Sequence, residues 1–199
     1  MIAAWTVCAG LGVARMLTYE LTPAAGAAAP PTWPQATGIS RDSSCPTLVL
    51  FLHPRCPCSR ATLAELERLI AACDRPFGLR IVFVRPTGAG DDWNRTDLFQ
   101  TAERIPRAVV SDDVEGIEAA RFGAKTSGQA LLYAADGRLL FQGGLTASRG
   151  HEGDNAGRSA LSALISGSRS NCTQTAVFGC SLVNPSPTPD LQSSDATTN

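Results

Sequence analysis

The sequence predicts an α/β domain with a mixed central sheet, helices on both of its faces, and an apolar segment ahead of it. Three observations carry this. Short apolar runs rich in strand formers alternate with runs of helical periodicity. A hairpin signal, Asp136-Gly137, closes the alternation. An uncharged stretch from Ile2 to Val13 precedes an Ala- and Pro-rich spacer.

The elements follow in order. The uncharged stretch continues through Arg15, Met16, Leu17 and Tyr19. A membrane span needs about 20 residues, and the long Arg15 side chain can reach the interface and extend the effective length. Residues 1–21 are therefore expected to be a signal anchor or signal peptide. The anchor reading is favoured, because Ala25-Gly26-Ala27 and Ala27-Ala28-Ala29 lie well beyond the apolar run. Residues 22–44 read as an Ala/Pro-rich linker. This order is that of an exported protein attached to the cell membrane, with its domain on the extracytoplasmic (periplasmic) side.

Thr47 to Leu52 is wholly apolar and predicts a buried parallel strand. A helix is expected from Pro57 to Ala72, with Leu63, Leu66, Leu69, Ile70 and Cys73 on one face. Leu79 to Val84 is a second strand. A helix from Trp93 to Arg104 would be capped by Asp91 or Asp92. Ala108 to Val110 is a short strand, and Val114 to Phe122 a short helix stopped by Gly123. Gln129 to Tyr133 and Arg138 to Gln142 form the hairpin. Asp154 or Asn155 caps a last helix ending near Ile165. The domain spans 45–167, a Cys-containing clip 168–183, and a disordered, Pro-rich polar tail 184–199.

The charge is nearly balanced, 17 Lys and Arg against 18 Asp and Glu, with Lys125 the only lysine. No basic block is present to neutralise a phosphate backbone, which argues against nucleic acid as a partner. The count of seven cysteines is odd and forbids complete pairing within one chain.

Cys56 follows the first strand and opens the first domain helix. Free N–H groups and the partial positive charge of a helix end favour a thiolate there, and Arg55 and Arg60 flank it. Two cysteines two apart within a regular helix diverge. With Cys56 as the cap and Cys58 in the first turn they converge, and the small ring of a Cys56–Cys58 disulfide is strained and easily reduced. Cys56 is then the attacking thiol and Cys58 the resolving one. Cys73 falls on the apolar helix face and reads as core.

The element order matches a thioredoxin-like fold, and Thr47 to Leu69 resembles the active-site region of thioredoxin-like proteins, including the peroxiredoxin and TlpA/ResA groups. HPRCPCSRATLAEL, RFGAKTSGQALLYAADGRLLFQGGLTASRGHEGDNAG and VFGC look like the RedB-like group of exported thioredoxin-fold proteins, over roughly Cys45 to Cys180. The resemblance implies the fold and the extracytoplasmic side; the chemistry of Cys56 and Cys58 points to a membrane-attached thiol–disulfide redox protein whose partners are protein thiols or disulfides, with no cofactor required. There are two departures from the thioredoxin pattern. The motif is C-x-C. The cis-proline that in thioredoxins helps dock an extended substrate and keeps metals out should fall within Thr126-Ser127-Gly128, where no proline stands.

That absence leaves alternatives open. Cys56, Cys58 and His151 have the donor chemistry of a Cu(I) site in the manner of Sco-type copper chaperones. A peroxiredoxin-like peroxidase would oxidise Cys56 to a sulfenic acid that Cys58 resolves. A degenerate fold used only for binding is a further alternative. His53 is expected as a strand-end residue, and Arg149 as an anion binder or thiolate stabiliser. Cys172 and Cys180 are expected to form a structural disulfide fastening the tail. The alternative makes one of them a relay partner for Cys56 or Cys58.

Overall fold

The computed structural model describes residues 1–24, 28–90 and 92–182. The Ala25-Gly26-Ala27 site, the proposed Asp91 cap and the tail from Asn184 lie outside the described residues.

Strand β1 (Thr47–Leu52) is buried at every position and takes the centre of the sheet. Strand β2 (Gly78–Arg85) pairs parallel on one side, with Leu52 opposite Phe83. Strand β4 (Gln129–Tyr133) pairs antiparallel on the other, with Phe51 opposite Gln129. Strand β3 (Ala108–Val114) continues the parallel half and β5 (Leu139–Gly143) the antiparallel half, giving the order β3-β2-β1-β4-β5. Helix α2 (Pro57–Ala72), α3 (Asp97–Glu103), α4 (Ile117–Arg121) and α5 (Ala156–Ile165) complete the domain. This is the expected thioredoxin-like fold.

Strand alternation sorts the core into two halves. Leu48, Leu50 and Leu52 face Leu63, Leu66 and Leu69 of α2 and Leu161 and Ile165 of α5. Val49 and Phe51 face Ala119, Phe122 and Tyr133. Both faces of β1 are thus covered, which explains a strand with no polar side chain after Thr47.

Three boundaries differ from expectation by more than one residue. Helix α3 starts later, because the Thr96 side chain accepts the Phe99 N–H and caps it there. Strand β3 runs on to Val114, paired with Arg85. Helix α4 therefore starts at Ile117, where the buried Asp113 carboxylate accepts the N–H groups of Glu118 (2.9 Å) and Ala119 (2.8 Å).

The segment expected to be a free linker is partly docked. Trp33 is buried edge-on to Phe122 (5.1 Å) and Tyr133 (5.2 Å). Its N–H donates to Gly137 O (2.8 Å), Leu139 N–H donates to Pro31 O (2.9 Å), and the Tyr133 hydroxyl donates to Pro30 O (3.1 Å). The Ala- and Pro-rich stretch thus covers the hairpin edge that the sheet would otherwise leave unpaired.

Ahead of it, α1 (Ile2–Leu21) is a 20-residue helix, about 30 Å long and so matched to a bilayer core. It is long and apolar enough to cross a membrane by length and composition, and none of its residues is buried.

Candidate active site

The site is built where β1 gives way to α2. The chain turns over His53-Pro54-Arg55, with Cys56 N–H donating to His53 O (3.2 Å). Cys56 is the extended N-cap of α2 and Pro57 the first helical residue, where a missing N–H costs nothing. Cys58 falls in the first turn, as expected. Cys56 is 1% exposed and Cys58 8%.

Three hydroxyl-bearing residues fix this corner from below. Ser127 accepts the His53 N–H (2.9 Å), Ser59 donates to His53 O (3.1 Å), and Ser59 and Ser127 meet at 2.8 Å. Thr62 donates to Cys58 O (3.2 Å). Gly128, with φ 91°, donates its N–H to Phe51 O (2.8 Å), which brings the 126–128 loop against the motif. No peptide bond among the described residues is cis. Ser127 therefore supports the motif through its side chain, in the loop where a thioredoxin carries its proline.

The principal difference from expectation concerns Cys180. It does not pair with Cys172, which is free and whose sulfur contacts Gln174 O at 3.5 Å. Instead the C-terminal segment crosses the domain and brings Cys180 Sγ to 2.9 Å from Cys56 Sγ. The physical reason is backbone pairing. Gln142 N–H donates to Thr173 O (3.0 Å), Thr175 N–H to Gln142 O (3.1 Å), and Ser127 N–H to Cys180 O (2.8 Å). These bonds draw the segment from the β5 edge to the motif.

The three thiols have divergent acidities. Burial alone would raise Cys56, but hydrogen bonds to its sulfur from the Cys180 side chain, and from the N–H groups of Cys180, Cys58 and Ser59, outweigh it. Its pKa lies below the ordinary 9.0. Cys58 is raised by burial and by the adjacent Cys56. Cys180 is pushed up to about 12, by burial first and then by Cys56. The site pairs one thiol of raised acidity with two of lowered acidity.

The flanking arginines are placed differently from expectation. Arg55 stacks over the Trp93 ring (3.8 Å) and Arg60 pairs with Asp97 (2.6 Å). Arg149 is the cation that acts on Cys58 and Cys180, opposing their rise. Its guanidinium donates to Gly179 O (2.5 Å) and Tyr19 O (3.1 Å) and lies over the Tyr19 ring (4.6 Å).

His53 is half-buried, its Nδ1 accepts the Arg55 N–H (3.1 Å), and burial followed by Arg55 lowers its pKa, which favours the neutral imidazole. His151 is exposed in the loop after β5. Among the described residues, no three His, Cys, Asp or Glu side chains gather closely enough to hold a metal ion. The loop itself reaches the motif, where the Gly150 N–H donates to the Cys58 sulfur.

Two residues that matter escaped sequence reasoning. Glu65 is fully buried and holds the His151 loop: it accepts from Gly153 N–H (2.7 Å) and Asn155 Nδ2 (3.1 Å), and pairs with Arg158 (3.2 Å) and Arg68. Ser59 stands beside Cys58 in the motif itself, and that adjacency is the signal that would have found it.

No protein-family model and no curated protein matches the chain. Among solved structures, a hypothetical protein from Sinorhizobium meliloti 1021 is similar at TM-score 0.56 and 19% identity, covering 78% of this chain and 94% of its own. An uncharacterized conserved protein from Geobacillus kaustophilus is similar at TM-score 0.55 and 16% identity, covering 84% and 95%. A secreted Mycobacterium tuberculosis disulfide oxidoreductase homologous to E. coli DsbE overlaps 63% of this chain and 83% of its own at 16% identity, with a TM-score of 0.43. The likeness to the first two is one of fold.

Proposed function

We propose that this chain is a thiol–disulfide redox protein of the RedB-like kind, held at the extracytoplasmic face of the cell membrane by α1, with Cys56 as its nucleophile. The observation that carries the reading is the Cys56 sulfur itself. It belongs to the residue at the N-cap position of α2, is drawn toward the N–H groups of three residues and is more acidic than a free thiol, beside two thiols whose acidity is lowered.

In the reaction, the Cys56 thiolate attacks one sulfur of a partner disulfide. A Cys56–partner S–S bond forms, the partner's own S–S bond breaks, and the second partner sulfur leaves as a thiolate that takes a proton. A neighbouring thiol then displaces the first partner sulfur. The chain is oxidised by two electrons and the partner is reduced by two. The direction reverses when the partner arrives reduced.

The test is disulfide exchange between the reduced full chain in detergent and a peptide disulfide, followed by thiol release. The wild type should exchange at least tenfold faster than Cys56→Ser. Equal rates would overturn the reading. For placement, expression in a bacterium with a membrane-impermeant maleimide outside spheroplasts should label the domain without lysis; labelling only after lysis would overturn the extracytoplasmic assignment.

A further inference from the structure

The segment from Ala176 to Leu182 is laid over the motif as an added strand. Leu182 N–H donates to Lys125 O (2.9 Å) and Ser127 N–H donates to Cys180 O (2.8 Å), with Thr126 and Ser181 bridged antiparallel between them. Val177 and Phe178 are buried on one side of Cys180, and Leu182, 1% exposed, on the other. Gly179 makes the approach close enough: a Cβ there would stand 2.0 Å from Ser127 O. The segment meets the motif at Cys180, and Cys56 is left 1% exposed.

Cys58 is in a poorer position to bond Cys56. It lies inside α2, separated from Cys56 by Pro57, whose ring fixes φ. Its side chain also meets that of Cys56, but from within the first turn of the same helix. The Cys180 sulfur comes from outside the helix, at 2.9 Å, and needs to move by about 0.9 Å to reach bonding distance.

We infer that Cys180 is the resolving thiol of this site, and that the strand carrying it occupies the groove an incoming disulfide must enter. The inference rests on the redox reading above. The partner, an extended peptide bearing a disulfide, displaces the strand and is attacked by Cys56. When the strand returns, Cys180 attacks the Cys56 sulfur of the mixed disulfide. The Cys56–Cys180 bond forms, the Cys56–partner bond breaks, and the first partner sulfur, the one bonded to Cys56, leaves as a thiol with the Cys180 proton. The sum is two protein thiols and one partner disulfide giving one protein disulfide and two partner thiols. The timing is set by charge. Once Cys56 is bonded to the partner, its negative charge and its claim on the Cys180 proton both vanish, and two of the causes that hold Cys180 protonated vanish with them.

The experiment uses the reduced full chain in a Cys172→Ser background with glutathione disulfide as probe, with adducts read by mass spectrometry. After cleavage at arginine, Cys56 and Cys58 share one peptide and Cys180 lies in another. The parent and its Cys58→Ser variant should join the two peptides. Cys180→Ser should instead hold a glutathione adduct at Cys56 at least tenfold longer than the parent. Gly179→Val keeps every thiol but drives the strand from Ser127, and should also lose the cross-link. The opposite pattern, with Cys58→Ser trapping the adduct and Cys180→Ser resolving it normally, would overturn the assignment and leave the redox reading intact. A parent that forms adducts no faster than Cys56→Ser would overturn both.

Discussion

The Ser59 and Ser127 hydroxyls lie 2.8 Å apart and close a ring of hydrogen bonds through His53. Ser59 gives its proton to His53 O and Ser127 accepts the His53 N–H, so the remaining Ser127 proton points to Ser59. Both serines are 1% exposed. Ser127→Ala strands a buried donor and should cost about 1–3 kcal/mol in urea unfolding. The Ser59→Ala/Ser127→Ala pair should cost less than the sum of the single variants. Full additivity would show that the ring does not act as a unit.

Cys56 and Cys180 predict a pH signature for the reduced protein. A lowered Cys56 pKa means that its thiolate, followed by ultraviolet absorbance, persists below pH 9 and is lost as pH falls through the lowered value. The same shift contributes stability that is present above the ordinary thiol pKa and lost over that descent. Cys180→Ala removes a hydrogen-bond donor and should move the Cys56 titration upward. An unmoved curve would show that Cys180 does not stabilise the thiolate.

Arg60 and Arg149 should separate cleanly. Arg60 and Asp97 are both well exposed, so Arg60→Ala should change stability by less than about 1 kcal/mol and leave thiol reactivity alone. Arg149→Ala should release Gly179 and raise the Cys180 pKa further, slowing exchange. Slower exchange from Arg60→Ala with none from Arg149→Ala would reverse these roles.

Glu65 is the buried anion of the Arg149–Asn155 loop. Glu65→Ala would leave the Arg158 cation without its inner partner and two loop donors unpaired, and should cost about 3–5 kcal/mol by thermal unfolding. Hydrogen exchange at Gly153 should accelerate with it. An unchanged Gly153 amide would separate the loop from Glu65.

Trp33 tests whether the docked Ala/Pro stretch belongs to the domain. Trp33→Ala removes two edge-on aromatic contacts and should destabilise by about 3–5 kcal/mol. A change under about 0.5 kcal/mol would return the stretch to a free spacer.

The central architecture was legible because each element announces itself locally. Thr47–Leu52 and Pro57–Ala72 fall at the expected bounds, since an all-apolar run and a three-and-four-residue apolar face each admit one reading. Local signals misled where tertiary contacts chose between options. Asp113 serves α4 as a cap from within a strand, so the strand was expected to end at Val110 and the helix to begin at Val114. Trp33 is one apolar residue among prolines and alanines, and nothing near it in sequence names Phe122 as its neighbour. The nucleophile was visible from the helix start, but its sulfur neighbour lies 124 residues away along the chain. Periodicity does not reach across such a distance, and among six candidate cysteines spacing alone cannot choose.

The docked stretch also sets a leash. Residues 22–44 as an extended Pro-rich spacer would let the domain roam about 70 Å from its anchor. Ala24 is instead bonded to Val177, Ala29 to Gln142 and Trp33 to Gly137, so that range collapses to a few residues beyond Leu21. With α1 in a bilayer, such a domain patrols no volume. The disulfide-bearing partners proposed above would then have to reach it at the membrane surface, carried there on anchors of their own or diffusing to it.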